Sequence, residues 1–404
     1  MSEGGAQSPV ILGWCPGALR PMPSGDGLVV RVRPRGGRLT PAEAAGLARL
    51  ALAHGNGLID VSARANVQLR GVTEQSYEPL IAGLSALGLV DATPAAEAQR
   101  NIVISPFWSP GDGTPDLAAA LAAALTGPDA PGLPGKFGFS VDCGTVPVLQ
   151  DVSADIRFER GGDGGLICRA DGALAGASVT IETSVAAAMA MAAWFVDSNG
   201  MQNGRGRMSR HLANGAVLPE AFLTVPMQTG VRFEPKPGAV AAGFLVGLEF
   251  GQMRGETLAA LAQLGPIRLT PWRLLLIENV RVAPDTSGLI VQPDDPLLHV
   301  VACTGAPGCL QGRQPTRVLA RSLASSLARS LAEQVVPGLS ARPLLHVSGC
   351  AKGCAHPTKA AMTLTAEASG FALVRDGRAD DVPVLRGLSA DDLVARPQTL
   401  REAR

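Results

Sequence analysis

The chain has few aromatic residues, no excess charge and no long apolar run. Aromatic side chains make up 4% of its 404 residues, and its 35 basic residues balance 35 acidic ones. Zero net charge gives no indication of a nucleic acid or an acidic membrane as a partner. The most apolar run, residues 185–196, is too short to span a bilayer and predicts a buried helix. The first residues lack the pattern of a signal peptide, so a soluble, cytoplasmic protein is expected.

Four of the seven cysteines form two pairs near the C-terminal end. Cys303 and Cys309 have the spacing C-x5-C, and after a gap of 40 residues Cys350 and Cys354 follow with the spacing C-x3-C. Four thiolates brought together from two loops can hold a [4Fe–4S] cluster. Glycines beside these cysteines let backbone N–H groups approach an anionic cluster. The pattern therefore favours a cluster with these four cysteines as its ligands.

Other uses of the cysteines remain open at this point. Structural zinc sites also take four cysteines, although their pairs are usually closer in sequence. Two disulfides are a further alternative, which a reducing cytosol disfavours. Cys143 and Cys168 stand beside apolar residues, which predicts buried free thiols. Cys15 lies in a turn-rich segment from which it could approach a site.

Two distant segments share one pattern of strand, helix and strand. They comprise residues 28–34, 40–54 and 58–70 in the first copy and residues 244–250, 255–264 and 266–277 in the second. Alternating or short apolar runs predict the strands. Thr40, Pro41 and Glu43 form a typical helix start. A duplicated element at this separation predicts a pseudo-symmetric protein. Each copy is followed by an α/β stretch, and the second of these carries both cysteine pairs around an amphipathic helix predicted over residues 317–336.

The cysteine spacing, the duplication and the segment S-A-R-A-N-V-Q-L-R at residues 62–70 resemble the sirohaem-dependent sulfite and nitrite reductases over essentially the whole chain. The resemblance implies an α+β fold with two duplicated ferredoxin-like half-domains and two α/β lobes in pseudo-two-fold symmetry. The implied domains are residues 10–80 (first ferredoxin-like repeat), 95–235 (first α/β lobe, with the tetrapyrrole clamp), 240–290 (second ferredoxin-like repeat) and 295–404 (second α/β lobe, with the Fe–S cluster).

In this family, basic residues of the first half hold the carboxylates of a tetrapyrrole beside the cluster. By resemblance, the candidate substrate-binding residues are Arg64, Arg70, Arg100 and Lys136. Arginine suits this role because its planar guanidinium takes a carboxylate bidentately. The reductases have a second lysine two residues after the first, where this chain has Gly138. Because that lysine belongs to the anion-reducing machinery, its absence argues against sulfite reduction.

The N-terminal motif at residues 14–28 and both cysteine motifs are most similar to the branch of the family that acts on precorrin-3A in aerobic cobalamin biosynthesis. The resemblance implies an NADH- and O2-dependent monooxygenase that hydroxylates precorrin-3A and closes a γ-lactone. Because O2 reacts poorly with closed-shell organic molecules, such a reaction needs a redox metal or a radical. The branch implies a mononuclear non-haem iron besides the [4Fe–4S] cluster.

The sequence alone names no catalytic residue and no ligand set for that iron. Two histidines and a carboxylate would be usual. Of the five histidines, His54, His299 and His346 are expected to be structural, while His211 and His356 stay undecided. No G-x-G-x-x-G motif follows a strand, so electrons from NADH are expected through a separate reductase. The alternatives are a sirohaem-dependent sulfite or nitrite reductase and a non-catalytic Fe–S electron-transfer protein.

Overall fold

A computed structural model describes residues 15–230, 233–332 and 343–402 of the chain. Its strands are β1 (Met22–Ser24), β2 (Gly27–Val32), β3 (Arg38–Leu39), β4 (Leu58–Val61), β5 (Val67–Val72), β6 (Ile102–Ile104), β7 (Phe139–Val141), β8 (Ile156–Arg160), β9 (Leu166–Ala170), β10 (Ala175–Val179), β11 (Val225–Pro226), β12 (Gly238–Val240), β13 (Gly243–Leu248), β14 (Gln252–Arg254), β15 (Ile267–Leu269), β16 (Leu274–Glu278), β17 (Leu289–Ile290), β18 (Val300–Ala302), β19 (Leu345–Ser348), β20 (Ala360–Glu367), β21 (Gly370–Gly377) and β22 (Leu385–Leu388). Its helices are α1 (Pro41–His54), α2 (Glu74–Ala86), α3 (Pro94–Gln99), α4 (Thr114–Leu125), α5 (Ile181–Asp197), α6 (Met208–Ala213), α7 (Gly255–Ala262), α8 (Arg317–Ala332), α9 (Ala390–Ala395) and α10 (Thr399–Glu402).

The two predicted repeats form two sheets that exchange an edge strand. The first sheet has the order β1-β2-β5-β4-β14, and the second has the order β12-β13-β16-β15-β3. Strand β14 comes from the second repeat and pairs with β4, while β3 comes from the first repeat and pairs with β15. Helices α1 and α7 pack against each other, and side chains of both repeats share one hydrophobic core.

The remaining two sheets repeat one topology, which extends the pseudo-symmetry beyond the ferredoxin-like repeats. In the first lobe β6, β7 and β8 are parallel, and β9 and β10 continue antiparallel. In the second lobe β18, β19 and β20 are parallel, and β21 and β22 continue antiparallel. Helices α4 and α5 pack on the first lobe's sheet, and α8 packs on the second.

Several local features of the structure agree with the predictions from the sequence. Thr40 and Glu43 close a capping box on α1, with Pro41 in its first turn. The apolar run at 185–196 lies within α5, several of whose side chains are buried. Cys143 and Cys168 are buried free thiols, as predicted. None of the helices in the described ranges combines the length and the apolar character that crossing a membrane would need.

Other features differ from the prediction. Residues 58–70 and 266–277, each read as one strand, are hairpins: β4–β5 and β15–β16. The reason is a turn that a side-chain hydroxyl stabilises in each copy, Ser62 in the first and Thr270 in the second. The helix expected over 317–336 is described as α8 as far as residue 332, and residues 333–336 lie outside the described part.

The exchanged strand β3 is held by Glu278 on β16, which pairs with Arg38 on β3 at 2.8 Å and with Arg268 on β15 at 2.7 Å. Glu278→Ala should lower the free energy of unfolding by about 3 kcal/mol, because it leaves buried Arg268 without a counter-ion. Urea unfolding followed by circular dichroism measures this. The matched control is Glu256→Ala, which removes the exposed pair with Arg254 and should leave the midpoint nearly unchanged. Equal midpoints for the two variants would contradict the role of Glu278.

Candidate functional site

The two cysteine pairs come together at one edge of the second lobe's sheet. Cys303 directly follows β18, and Cys350 lies two residues after the end of β19. Because these strands are parallel neighbours, their carboxyl ends meet at the same edge. The N–H of Gly349 donates to the Sγ of Cys303 at 3.0 Å. Desolvation raises the pKa of Cys350, and the nearby Cys303 and Cys309 raise it further, which brings three of the predicted ligands into one electrostatic neighbourhood.

The fourth cysteine belongs to the same neighbourhood. Desolvation raises the pKa of Cys354, and the charges of Cys350, Cys303 and Cys309 raise it as well, against the opposing effect of Lys352. Among the described residues, all of these thiols are free. The structure therefore brings together all four cysteines that the sequence predicted to act as one set.

Hydroxyl groups and glycines shape the loops that carry these thiols. Thr316 Oγ1 donates to the backbone oxygen of Cys303 at 2.6 Å. Gly305 has a φ of +64°, and a Cβ there would lie 2.6 Å from Thr316 Oγ1. A Cβ on Gly349 would lie 3.3 Å from Cys303 Sγ and 3.0 Å from Gly305 Cα. Glycine is therefore required where the two loops approach each other.

The four thiols, gathered from two loops, fit the ligand set of a [4Fe–4S] cluster. A structural zinc needs four ligands, each within about 2.3 Å of one ion. In a [4Fe–4S] cluster the four thiolates are distributed around a larger cofactor. The four cysteines would hold such a cluster, and its negative charge suits the basic surroundings of the site.

Those surroundings include two arginines and a helix terminus. Helix α8 begins at Arg317, one residue after the threonine that holds Cys303, and has no acidic residue in its first turn. Helix N-termini carry partial positive charge and favour anions. The Nε of Arg317 has no hydrogen-bond partner among the described residues. Arg273 Nη2 donates to the backbone oxygen of Ala355, the residue after Cys354, at 2.6 Å.

A second group of cations lies in the first half of the chain. Arg64 Nη2 donates to the backbone oxygen of Lys136 at 3.1 Å, so these two predicted substrate-binding residues are neighbours. Arg31 and Arg33 lie beside them and share one face of extended chain, since residues two apart point the same way. Burial lowers the pKa of Arg64, and Arg33 is among the cations that lower it further. We call Arg31, Arg33, Arg64 and Lys136 the basic cluster.

Sequence reasoning missed Arg31 and Arg33. A signal was present in the alternation V-R-V-R at residues 30–33, because Val30 and Val32 are wholly buried and the arginines must then face the other side. The Nε and Nη2 of Arg31 both donate to Gln68 Oε1, at 3.0 and 2.6 Å. Arg31 thus has a neutral amide as its side-chain partner on β5.

Cys15 approaches the basic cluster, as its turn-rich context allowed. Burial on its own would raise the pKa of this thiol, but Arg31, Arg64 and Lys136 lower it, and the net shift is downward. Glu97 holds the segment that follows by accepting hydrogen bonds from the N–H groups of residues 18 and 19 at 2.6 and 3.1 Å. Cys15 is therefore a thiol with increased thiolate character inside a cationic site.

Arg70 and Arg100, the other two predicted substrate-binding residues, both have carboxylates of the chain as partners. All three guanidinium nitrogens of Arg70 have partners: Asp26, Asp60, Ser24 Oγ and the backbone oxygen of Gly308. Arg100 pairs bidentately with Asp91 at 3.0 and 2.7 Å. Both arginines are thus held in internal ion pairs, and Arg100 also donates to the backbone oxygen of Arg33 in the basic cluster at 2.8 Å.

Gly138, where the reductases have a second lysine, is buried against Asn101. A Cβ at this position would lie 2.9 Å from Asn101 Nδ2. The N–H of Gly138 donates to Asp155 Oδ2 at 2.9 Å. A lysine here would require its neighbours to shift, so the local packing of this chain is built around the glycine.

The histidines lie in different surroundings. His211 accepts or donates a hydrogen bond with Ser198 Oγ at 2.8 Å and packs on the rings of Trp194 and Phe195, which is a structural setting in the first lobe. His346 is wholly buried, and neither ring nitrogen has a hydrogen-bond partner among the described residues. Its ring lies edge-on to that of His356, with centroids 5.8 Å apart. The described residues supply no triad of ligands for a mononuclear iron.

Comparison with known proteins shows first which class of protein this chain resembles. Residues 20–87 match the family described as the nitrite/sulfite reductase ferredoxin-like half domain. The structure of the Mycobacterium tuberculosis NirA protein is similar, with a TM-score of 0.65 at 22% identity, over 92% of this chain and 79% of that one. The predicted fold class is thereby confirmed: an α+β protein that carries a ferredoxin-like half domain of the nitrite/sulfite reductase kind.

The similarity to one curated relative agrees with the branch of the family that the sequence motifs predicted. A precorrin-3B synthase from Sinorhizobium sp is 28% identical over 432 aligned residues, which cover 94% of this chain and 86% of the relative. The resemblance predicted from the cysteine motifs and from the N-terminal motif is thus confirmed as a similarity to precorrin-3B synthase.

The state of Cys15 can be measured by its alkylation. The rate of its reaction with iodoacetamide, followed by peptide mass spectrometry, should reach half its maximum below the pH of an ordinary thiol, whose pKa is about 8.5. Arg31→Met should move that midpoint upward, because it removes a cation that stabilises the thiolate. The exposed Arg254→Met is the control for lost charge, and Cys143 is the internal control, since burial raises its pKa to about 11. An unchanged midpoint in Arg31→Met would contradict the interaction.

Proposed function

We propose that this chain is an oxidoreductase of aerobic cobalamin biosynthesis that hydroxylates precorrin-3A and forms its γ-lactone, using O2 and electrons from NADH. The similarity to a precorrin-3B synthase supports the pathway and the reaction type. The observation that carries the proposal in this structure is the basic cluster, in which Arg31 and Arg64 contact neutral acceptors, an amide and a backbone oxygen. Cations so placed can bind the carboxylates of a ligand.

The charge pattern matches the proposed substrate. Precorrin-3A carries acetate and propionate carboxylates around its macrocycle, and guanidinium groups bind carboxylates with strong charge-assisted hydrogen bonds. The cations of the cluster also depress one another: burial lowers the pKa of Arg31, and Arg64 lowers it further. A polycarboxylate would relieve this mutual repulsion. In this proposal Arg31, Arg64 and Lys136 orient the substrate, while Arg33 pairs with Glu97 at 3.1 Å and adds its charge to the cluster.

The basic cluster and the cysteine site share one strand. On β5, Gln68 contacts Arg31 of the basic cluster, and Arg70 contacts the oxygen of Gly308 in the first cysteine loop. Residues two apart on a strand point to the same face and are about 7 Å apart. A bound [4Fe–4S] cluster would supply one-electron transfer, and β5 would place it close to the substrate. The electrons would come from a separate reductase.

The packing around Gly138 favours this proposal over sulfite or nitrite reduction. The reductases use a lysine at that position, and here even a Cβ would meet Asn101 at 2.9 Å. A cluster-only electron-transfer protein is the other alternative, and it gives no account of Arg31 and Arg64, whose contacts include a neutral amide and a backbone oxygen.

The direct test is turnover of precorrin-3A by anaerobically purified protein, supplied with O2, NADH and a reductase. Arg64→Met should lower the affinity for precorrin-3A about 10- to 100-fold, since a hydrogen bond to a charged group contributes about 1.5–3 kcal/mol. Arg254→Met, on the exposed surface, should bind as the wild type does. Product formation by mass spectrometry and binding by fluorescence measure the two effects.

The same preparation distinguishes the alternatives by its absorption spectrum and iron content. Protein made in cells that synthesise sirohaem should show a broad Fe–S shoulder and no macrocycle bands. Sharp Soret-like and red bands from bound sirohaem would overturn the proposal and return the chain to the reductases. A cluster without any binding of precorrin-3A would favour the electron-transfer protein.

A further inference from the structure

Arg273 stands at an unfavourable backbone position beside the cysteine site. It lies in the turn between β15 and β16 with a φ of +62°, in the left-handed region that residues with side chains seldom adopt. The hydroxyl of Thr270 holds the turn by accepting from the N–H groups of Trp272 and Leu274, both at 3.3 Å. A strained conformation persists where the surroundings require it and is common at functional sites.

The matching turn of the first repeat shows what is particular to Arg273. There Ser62 Oγ accepts from the N–H groups of Arg64 and Asn66, at 3.4 and 3.2 Å, and Ala65 takes the left-handed position with a φ of +52°. The turn therefore forms with a methyl side chain at that position. The guanidinium of Arg273 is not needed to make the turn.

The side chain of Arg273 is directed to the second cysteine loop. Its Cγ and Cδ would lie 3.0 and 3.1 Å from a Cβ on Gly251, so only glycine leaves room for the aliphatic stem there. The Nη2 then donates to the oxygen of Ala355, directly after Cys354, at 2.6 Å. The guanidinium of Arg273 also interacts with Cys303. Burial and Arg317 lower the pKa of Arg273 to about 10, while Asp60 and Cys303 act to raise it.

Arg273 has no carboxylate as an ion-pair partner among the described residues, and its hydrogen bond there is to a neutral carbonyl. The nearest carboxylate that acts on it, Asp60, already pairs with Arg70 at 3.2 Å and with Arg317 at 3.4 Å. A poorly solvated cation without a counter-ion is costly. Among the four thiols, Cys303 is the one whose charge acts on Arg273.

We propose that Arg273 is a positioning residue of the four-cysteine site: it fixes the loop that carries Cys350 and Cys354, and its positive charge favours the reduced state of a cluster bound there. This inference rests on the cluster assigned under the proposed function. A fixed cation lowers the energy of an added electron, so it raises the reduction potential of a nearby cluster; charge and hydrogen bonding near the sulfurs are known to set this potential.

The test is an EPR-monitored redox titration of anaerobically reconstituted protein. Arg273→Met should lower the midpoint potential of the cluster, and Arg273→Lys, which keeps the charge, should stay nearer to the wild type. Arg273→Gly relieves the left-handed backbone and also removes the charge, so it should give the same downward shift even if the methionine variant folds poorly. Arg396→Met, which removes an exposed cation from α9's end, is the matched control and should leave the potential unchanged.

The outcomes separate the two proposals. A wild-type protein that takes up no iron and sulfide would overturn the cluster assignment and this inference with it. A loaded wild type whose potential matches that of both Arg273→Met and Arg273→Gly would overturn the inference alone. Potentials that fall in the methionine variant but not in the glycine variant would show a purely structural effect and would also count against it.

Discussion

The candidate site depends on the ion-pair network around Asp60. This buried carboxylate on β4 pairs with Arg70 of the neighbouring strand at 3.2 Å and with Arg317 at the start of α8 at 3.4 Å. Gln252 on the exchanged strand β14 donates to it at 2.7 Å. One side chain therefore joins the first repeat, the second repeat and the lobe that carries the cysteines. Because a buried carboxylate is tolerated only with such partners, the same contacts that satisfy Asp60 also fix the relative positions of these elements.

The first cysteine loop is held from the side of the first repeat. Ser24 Oγ and Arg70 Nη2 both donate to the oxygen of Gly308, at 2.7 and 2.8 Å. A Cβ on Gly25 would lie 1.9 Å from the oxygen of Pro307, so the approach of the two loops leaves no room for a side chain. The second cysteine loop is held from the second repeat by Arg273. Each repeat thus holds one cysteine loop, in addition to the contacts within the second lobe that bring the two loops together.

The sequence predicted those features that local chemistry determines. The capping residues of α1, the buried cysteines and the four-thiol set each depend on residue type and spacing, which are visible in one dimension. The exchange of β3 and β14 was not predictable in this way, because two- and three-residue edge strands carry almost no periodic signal. The ion pairs of Arg70 and Arg100 were not predictable either: a motif shows that a guanidinium is present, but the carboxylate that it contacts is set by tertiary contacts.

The two repeats differ where it matters for the site, within turns that are otherwise alike. In the first turn the residue two after the hydroxyl is Arg64, which reaches Lys136, and the left-handed position holds Ala65. In the second turn the residue two after the hydroxyl is Trp272, which stacks with Phe107 in an apolar group, and the left-handed position holds Arg273. One guanidinium is therefore directed to the basic cluster and the other to the cysteine loop by a change of a single position within the same turn. If the duplicated scaffold is to bind two different groups, as proposed, it needs such a break in its symmetry; here the break is one left-handed arginine, whose strain an anionic cluster beside it would offset.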